Sequence, residues 1–501
     1  MCLRSLASKI RLRYSGLAVF SSRLFQILTG FLFTIAVTRN LTVHEFGIWQ
    51  NIADMQGYFT LLAVVLPRWQ IRYMARGIKG SGKTGVISNF IFSLPVTFIF
   101  LVMSPNFARA FETLAVYYVV ASIQVVELYL KPAMEGLGQA TKPQVIGYVQ
   151  FLREIVKIVL GVVLIVILKL GIMGAIITVT LTYGFDIFYL SYYFRNFLKE
   201  RLKFHLLRDW SKGSLLSLYG IIPVKLYSLD VLLLILIVGV EARAVYGAAY
   251  VIGSLITYAI SLSIGLYPRL LSGGGRKDVE TVLKTTYLFA IPMAAGVIAY
   301  SESFLTILNP VYISAKFILS LIAIQSLITC FSNIMNTIIL GFEKVDVEGG
   351  FTFRNLLKSN FFLLPTIGYF FTAAYLPFLY LIFQRVSNNP LIGAQMLALT
   401  STIFSAFRAV IYYRLSRKSV YYKIPYHLLK YAFSALVMAV ILHILPIPTR
   451  IFTTFIGVAL GAMIYFALLA AIDHETRFTI YFTFTRISRK IFGSIKTRVE
   501  L

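Results

Sequence analysis

Apolar runs of about 20 residues, separated by short polar loops, recur from one end of the chain to the other. An α-helix rises 1.5 Å per residue, so each run is long enough to cross a hydrocarbon core of ~30 Å. Fourteen such runs are read: 14–38, 46–66, 84–103, 111–131, 144–168, 171–194, 214–238, 244–266, 285–300, 315–340, 351–371, 391–413, 428–446 and 451–472. The intervening loops are too short to hold a soluble catalytic domain. The pattern predicts an all-α polytopic membrane protein of about 14 transmembrane helices. The aromatic stretch AAYLPFLYLIFQRV, around 372–389, is expected to form an interfacial or re-entrant helix on the outer side.

The pattern also repeats. Sliding the chain on itself by about 200 residues places HEFG, ending at Gly47, on AVYG, ending at Gly247. Pro67-Arg68 then faces Pro268-Arg269, and FLREIVK, ending at Lys157, faces TFRNLLK, ending at Lys358. IMGA (Gly174) meets LIGA (Gly393) at a shift of 219, the extra residues falling in the aromatic stretch. Each repeat holds six spans, an even number, so both enter the membrane in the same direction. Such parallel repeats place a substrate site between them. The expected organisation is a six-helix lobe at 1–205, a second at 206–415, and two extra helices with a basic tail at 416–501.

Composition agrees with this class: 58% of the residues are hydrophobic, 13% are charged, and mean hydropathy is +0.80. A soluble protein would carry about 25% charge. The net charge of +27 does not indicate nucleic acid, because it is concentrated in alternate loops. The N-terminus, 67–83, 195–213, 268–284, 414–427 and the tail from 473 are basic. The other loops carry only Arg39, Arg109, Lys169, Arg243, Lys316, Arg385 and Arg450. This is the positive-inside distribution, which places both termini in the cytoplasm and the chain in the cell membrane. The basic loops and the tail, whose cations alternate with aromatics, would also attract anionic lipids. The N-terminal run follows Arg4, Lys9, Arg11 and Arg13 like a signal peptide, but is too long and contains Arg23. Two distant cysteines and five scattered histidines imply neither a disulfide framework nor a metal site, and no cofactor is expected.

Charges inside spans carry the functional signal. A cation at bilayer depth costs roughly 2.5–3.5 kcal/mol on insertion scales, so it normally faces a cavity. Three pairs of such cations lie about 201 residues apart: Arg23 with Lys225, Arg153 with Arg354, and Lys157 with Lys358. Arg153 and Lys157 are four apart and share one helical face, as do Arg354 and Lys358. A guanidinium grips a phosphate bidentately and an ammonium acts as a point charge, so the six are candidates for holding an anionic headgroup. The alternatives are pairing with intramembrane acids and snorkelling, the latter strongest for Arg408 and Lys430. Asp54, Glu127, Glu154, Asp186 and Asp230 lie in or near the spans and serve either coupling to H⁺ or Na⁺ or charge balance. Asp54 and Asp230, near mid-span, are the first candidates for coupling.

GIKGSGKT, residues 77–84, fits the P-loop pattern. A P-loop needs a preceding strand and a nucleotide fold around it. Here the motif sits in a short basic loop between membrane helices, so ATP is not expected to bind. GGGRK at 273–277 reads as a flexible loop.

The run LFQILTGFLFTIAVTRNLTVHEFGIWQ resembles the first two helices of Wzx-type polysaccharide flippases, in the multidrug/oligosaccharidyl-lipid/polysaccharide (MOP) exporter superfamily. MEGLGQATKPQVIGY resembles their fourth loop, and six plus six spans with two extra helices fits their organisation. The resemblance implies an inside-to-outside flippase, not an enzyme, for lipid-diphosphate-linked oligosaccharides. It implies a cavity lined by cations at Arg23, Arg153, Lys157 and their repeat partners. Two rival readings are a multidrug exporter of the same superfamily and, of another class, a membrane glycosyltransferase or polysaccharide polymerase. The first favours acidic cavities, and the second needs a large outer loop or a clustered acidic pair.

Overall fold

In the computed structural model the described residues are 12–271, 273–343, 357, 359–446, 448–473 and 477, and their regular structure is helical throughout. In chain order the principal helices are α1 (Leu12–Asn40), α2 (Val43–Phe59), α3 (Val65–Ala75), α4 (Ser81–Ala110), α5 (Ala115–Thr141), α6 (Pro143–Gly161), α7 (Gly171–Tyr193), α8 (His205–Tyr227), α9 (Leu229–Ile237) and α10 (Val240–Gly253). They continue as α11 (Arg276–Ala299), α12 (Ser301–Leu308), α13 (Lys316–Gly341), α14 (Asn360–Val386), α15 (Pro390–Ser419), α16 (His427–Ile444) and α17 (Ile451–Ile472). Among the described residues ten helices are long and apolar enough to cross a membrane. The other four expected spans fall on α1, α2, α5 and α6. On α5 the charges Glu127 and Lys131, and on α6 Arg153, Glu154 and Lys157, lower the apolarity that marks a span.

Proline decides where the second span of each repeat breaks. The runs 46–66 and 244–266 are not single helices. After α2 the chain tightens into a 3-10 turn at Leu61–Val64 before α3, which contains Pro67. After α10 it does the same at Ser254–Ser263, before the short helix Leu266–Leu271 with Pro268. A proline lacks the N–H that would bond four residues back and clashes with that carbonyl, which favours such a tightened segment just upstream. The two breaks occupy equivalent positions of the repeat.

The aromatic stretch does not form a separate interfacial or re-entrant helix. It lies within the unbroken 27-residue helix α14. Between 372 and 386 only Pro377 disfavours helix, and no glycine or asparagine is present to reverse the chain. The extra residues therefore lengthen one helix.

The chain forms two compact units, one of residues 1–248 and 345–400 and the other of 249–344 and 401–501. These borders do not coincide with the expected lobe borders at 205 and 415. In the first unit α1 packs on α6, α5 on α4 and α7, and α8 on α14. Small residues make the closest approaches. Gly47 of α2 lies against the Val240 backbone and side chain, and its repeat equivalent Gly247 lies against Gln50 of α2. Gly368 of α14 faces Pro223 of α8, and Gly220 of α8 faces Pro365 of α14. Such contacts bring membrane helices together where no hydrophobic force separates lipid from protein. In the second unit, Leu283, Ala290, Ile334, Ile338, Tyr465 and Leu469 form a fully buried core.

Candidate functional site

Pro143 opens α6 at its first turn, where a missing N–H costs nothing, and the helix then presents Arg153, Glu154 and Lys157 along neighbouring positions. Arg153 is 5% exposed, and Glu154 and Asp186 are 1% exposed. Arg153 donates from Nη1 to Asp186 Oδ2 of α7 at 2.9 Å, and from Nη2 and Nε to Glu154 Oε1 at 3.3 and 3.4 Å. Lys157 pairs with Glu154 Oε2, which also accepts from Thr29 Oγ1 of α1 at 2.7 Å. Lys131 of α5 lies 3.9 Å from Asp186 and stacks over the Tyr183 ring at 4.7 Å. Three cations thus meet two carboxylates in direct contact inside the first unit, with Glu135 of α5 as a third acid in electrostatic range of Lys131 and Arg153. Burying paired charge is expensive. Glu127 on α5 is 9% exposed, and neither its Oε2 nor Asp186 Oδ1 has a hydrogen-bond partner among the described residues.

A second polar set lies in the same unit. Arg243, on α10, donates to Asp54 Oδ2 and Oδ1 at 2.6 and 3.1 Å and to Gln50 Oε1 at 3.1 Å. His44 of α2 is 2.8 Å from Glu241 of α10. Asp230 accepts from the Val231 N–H at 2.7 Å, in the first turn of α9, and from Tyr375 Oη of α14 at 2.8 Å. Tyr58 Oη donates to the Ser228 carbonyl at 2.7 Å. Lys225, near the end of α8, faces Gly57, and no carboxylate among the described residues is in ion-pair contact with it.

The structure therefore brings Arg153, Lys157 and Glu154 together and sets Lys225 of α8 against Gly57 of α2, the helix that carries Asp54. Arg23 lies on α1, while Arg354 and Lys358 lie outside the described residues. Lys430 pairs with Asp473 at 2.9 Å, and Arg408 lies on α15. Sequence reasoning missed three participants. Lys131 was placed at the end of a span, yet the apolar positions Leu130, Ala133, Met134 and Leu137 keep helical spacing and carry α5 past it. Arg243 was assigned to an outer loop, but α10 begins at Val240 and the residue is 6% exposed. Thr29, an uncharged residue on an apolar helix, gave no signal.

The P-loop-like segment follows helix α3 rather than a strand, and its Gly80 N–H donates to Glu200. The Thr84 hydroxyl donates to the Gly80 carbonyl at 2.7 Å and accepts from the Lys203 N–H at 2.9 Å. The groups that would cradle a phosphate are bound within the protein.

No family model and no curated protein sequence matches the chain. Solved structures do. A multidrug-resistance MATE family transporter of the MOP superfamily, in its inward-facing conformation, matches with a TM-score of 0.58 at 15% identity, covering 78% of this chain and 94% of that one. A MOP superfamily transporter from Pyrococcus furiosus, described as having a binding pocket of reverse polarity that suggests a different function, matches with a TM-score of 0.54 at 15% identity, covering 83% and 96%. A MATE transporter in complex with MaL6 matches with a TM-score of 0.53 at 16% identity, covering 83% and 97%. At such identity the likeness speaks for the fold: this chain is a multi-pass, all-helical membrane protein with the fold of the MOP superfamily transporters.

Proposed function

We propose that the protein is a flippase that carries a lipid-diphosphate-linked oligosaccharide from the cytoplasmic to the outer leaflet of the cell membrane. One observation carries the reading: Arg153, Lys157 and Lys131 gather in one buried cluster of the first unit, and Lys225 of the same unit has no carboxylate in ion-pair contact among the described residues. A diphosphate is the complement of that charge, with the guanidinium as fork and the ammonium groups as movable point charges. The repeats 1–205 and 206–415 are the parts that alternate access, the helices of 416–501 standing outside, and both termini are cytoplasmic. Moving an anion out of a negative cell is downhill by about 2.3 kcal/mol per charge per 100 mV, so ATP is not required. Arg23, Arg354 and Lys358 belong to the same proposal as repeat partners. Asp54, Glu127, Glu154 and Asp230 serve charge balance or coupling to H⁺ or Na⁺.

The multidrug-exporter reading has its own support. The fold neighbours include multidrug-resistance transporters, and a carboxylate oxygen of Glu127 without a hydrogen-bond partner among the described residues suits a cationic substrate or a proton. One experiment separates the two. The purified protein is placed in liposomes containing a short-chain lipid-diphosphate sugar, and leaflet exchange is followed under an imposed potential. Exchange by the wild type, lost in an Arg153→Ala/Lys225→Ala variant, supports flipping. No exchange, with uptake of a cationic dye that is lost in Glu127→Gln, supports drug export.

A further inference from the structure

The connection between α15 and α16 is tied down on one side and open on the other. Tyr422 is fully buried, its hydroxyl 2.7 Å from Ser416 Oγ, and the Lys423 N–H donates to Glu280 Oε1 of α11 at 2.9 Å. On the open side Tyr421 is 58%, Ile424 48% and Tyr426 64% exposed. Arg417, in the last turn of α15, spends both Nη1 hydrogens inside, on Tyr413 Oη at 2.9 Å and the Tyr422 carbonyl at 3.1 Å. Its Nε–Nη2 edge makes no hydrogen bond or ion pair among the described residues. The guanidinium lies 4.5 Å from the centre of the Tyr421 ring, and the Arg276 guanidinium lies 5.9 Å from it. The nearby acids are occupied: Glu280 holds Arg276 at 2.7 Å and Asp278 holds Arg269 at 3.2 Å. The exposed Lys277, Lys418 and Lys423 add positive charge.

We propose that this surface is a docking site for the headgroup of an anionic phospholipid, with the Nε–Nη2 edge of Arg417 gripping the phosphate. The free edge of a guanidinium presents two parallel donors that match two phosphate oxygens. The inward Nη1 bonds and the tyrosine rings fix its direction, so little rotamer freedom is lost on binding. Exposed tyrosines beside lysine and arginine are the side chains that settle at headgroup depth. Free phosphate would use the same edge but gain nothing from Tyr421, Ile424 and Tyr426, which is why the lipid is the occupant. The proposal rests on the membrane fold and not on the identity of the transported substrate.

The test uses the full-length protein in detergent micelles. Thermal unfolding is followed while phosphatidylglycerol, phosphatidylcholine or inorganic phosphate is added, and native mass spectrometry counts the bound lipid. Phosphatidylglycerol alone is expected to raise the melting temperature of the wild type. Arg417→Lys keeps the charge and loses the fork, so its half-saturating lipid concentration should rise by about fivefold or more. Tyr421→Leu removes an exposed ring that the fold does not need, and should weaken lipid binding in the same direction if Arg417→Lys is too unstable to measure. Lys199→Gln, on a different basic loop, should change nothing. Equal protection by inorganic phosphate, or wild-type lipid binding in both variants, would overturn the proposal.

Discussion

Asp54 and Arg243 stand 189 residues apart in the chain and are joined by two hydrogen bonds, of 2.6 and 3.1 Å, within one compact unit. The helices that carry them, α2 and α10, are the second spans of the two repeats. They approach at Gly47 and Gly247, the glycines that the repeat aligns. The pair occupies Asp54, a first candidate for ion coupling, with an internal counter-charge.

Removing one partner of such a pair leaves the other buried and unmatched. Asp54→Ala is expected to cost about 3–5 kcal/mol of stability, because Arg243 would keep only Gln50. Thermal unfolding in detergent checks this. An Asp54→Ala/Arg243→Met double variant should recover most of the loss. A double variant no more stable than Asp54→Ala would show that the cost lies in packing rather than in the orphaned charge.

Lys225 and Arg153 should respond differently to truncation. Among the described residues Lys225 lacks an acidic partner in ion-pair contact, so Lys225→Ala is expected to fold normally and to slow lipid exchange by about tenfold or more, the loss of one charge-assisted bond. Arg153→Ala leaves Glu154 to Lys157 and Thr29 and Asp186 to the longer Lys131 contact, and should lower the melting temperature as well as exchange. Exchange assays on reconstituted protein, read beside melting curves, separate the two effects. Normal exchange by Lys225→Ala would remove that residue from the proposed site.

Two glycines test whether close approach or helix propensity dominates. At Gly47 a methyl group would collide with the Val240 carbonyl and side chain, so Gly47→Ala should destabilise by about 1–3 kcal/mol. At Gly30, inside α1, no heavy atom lies within 4 Å of the new methyl, and Gly30→Ala should stabilise by about 0.5–1 kcal/mol through propensity alone. Opposite signs in a thermal-shift assay are the expected result.

Nucleotide should not act at residues 77–84, where Glu200 and Lys203 already engage the backbone and hydroxyl of the motif. Millimolar Mg-ATP is expected to leave the melting temperature of the wild type and of Lys83→Ala equal and unmoved. A rise in the wild type alone would mean that the motif binds phosphate after all.

Helix class, and the equivalence of Gly47 with Gly247 and of Pro67 with Pro268, were legible in the chain because each depends on local pattern. Apolar period and run length report burial in lipid, and proline acts on its own turn wherever it stands. The cations at Arg153 and Lys157 were legible for a similar reason: a charge inside an apolar run is visible without knowing its neighbours. Their partners were not. Asp186 lies 33 residues from Arg153, Thr29 lies 125 from Glu154, and Tyr375 lies 145 from Asp230. Only the packing of α1, α6 and α7, and of α9 with α14, brings those groups within hydrogen-bond distance. The sequence by itself determined the membrane-spanning helices, the local pattern that repeats along the chain, and the charges that stand inside apolar runs. The tertiary structure decided how each charge is matched, placing Arg243 in a helix against Asp54 and leaving Lys225, among the described residues, without a carboxylate in ion-pair contact. Charge matching depends on separations of about 3 Å between atoms far apart in the chain, and helix packing alone sets those separations.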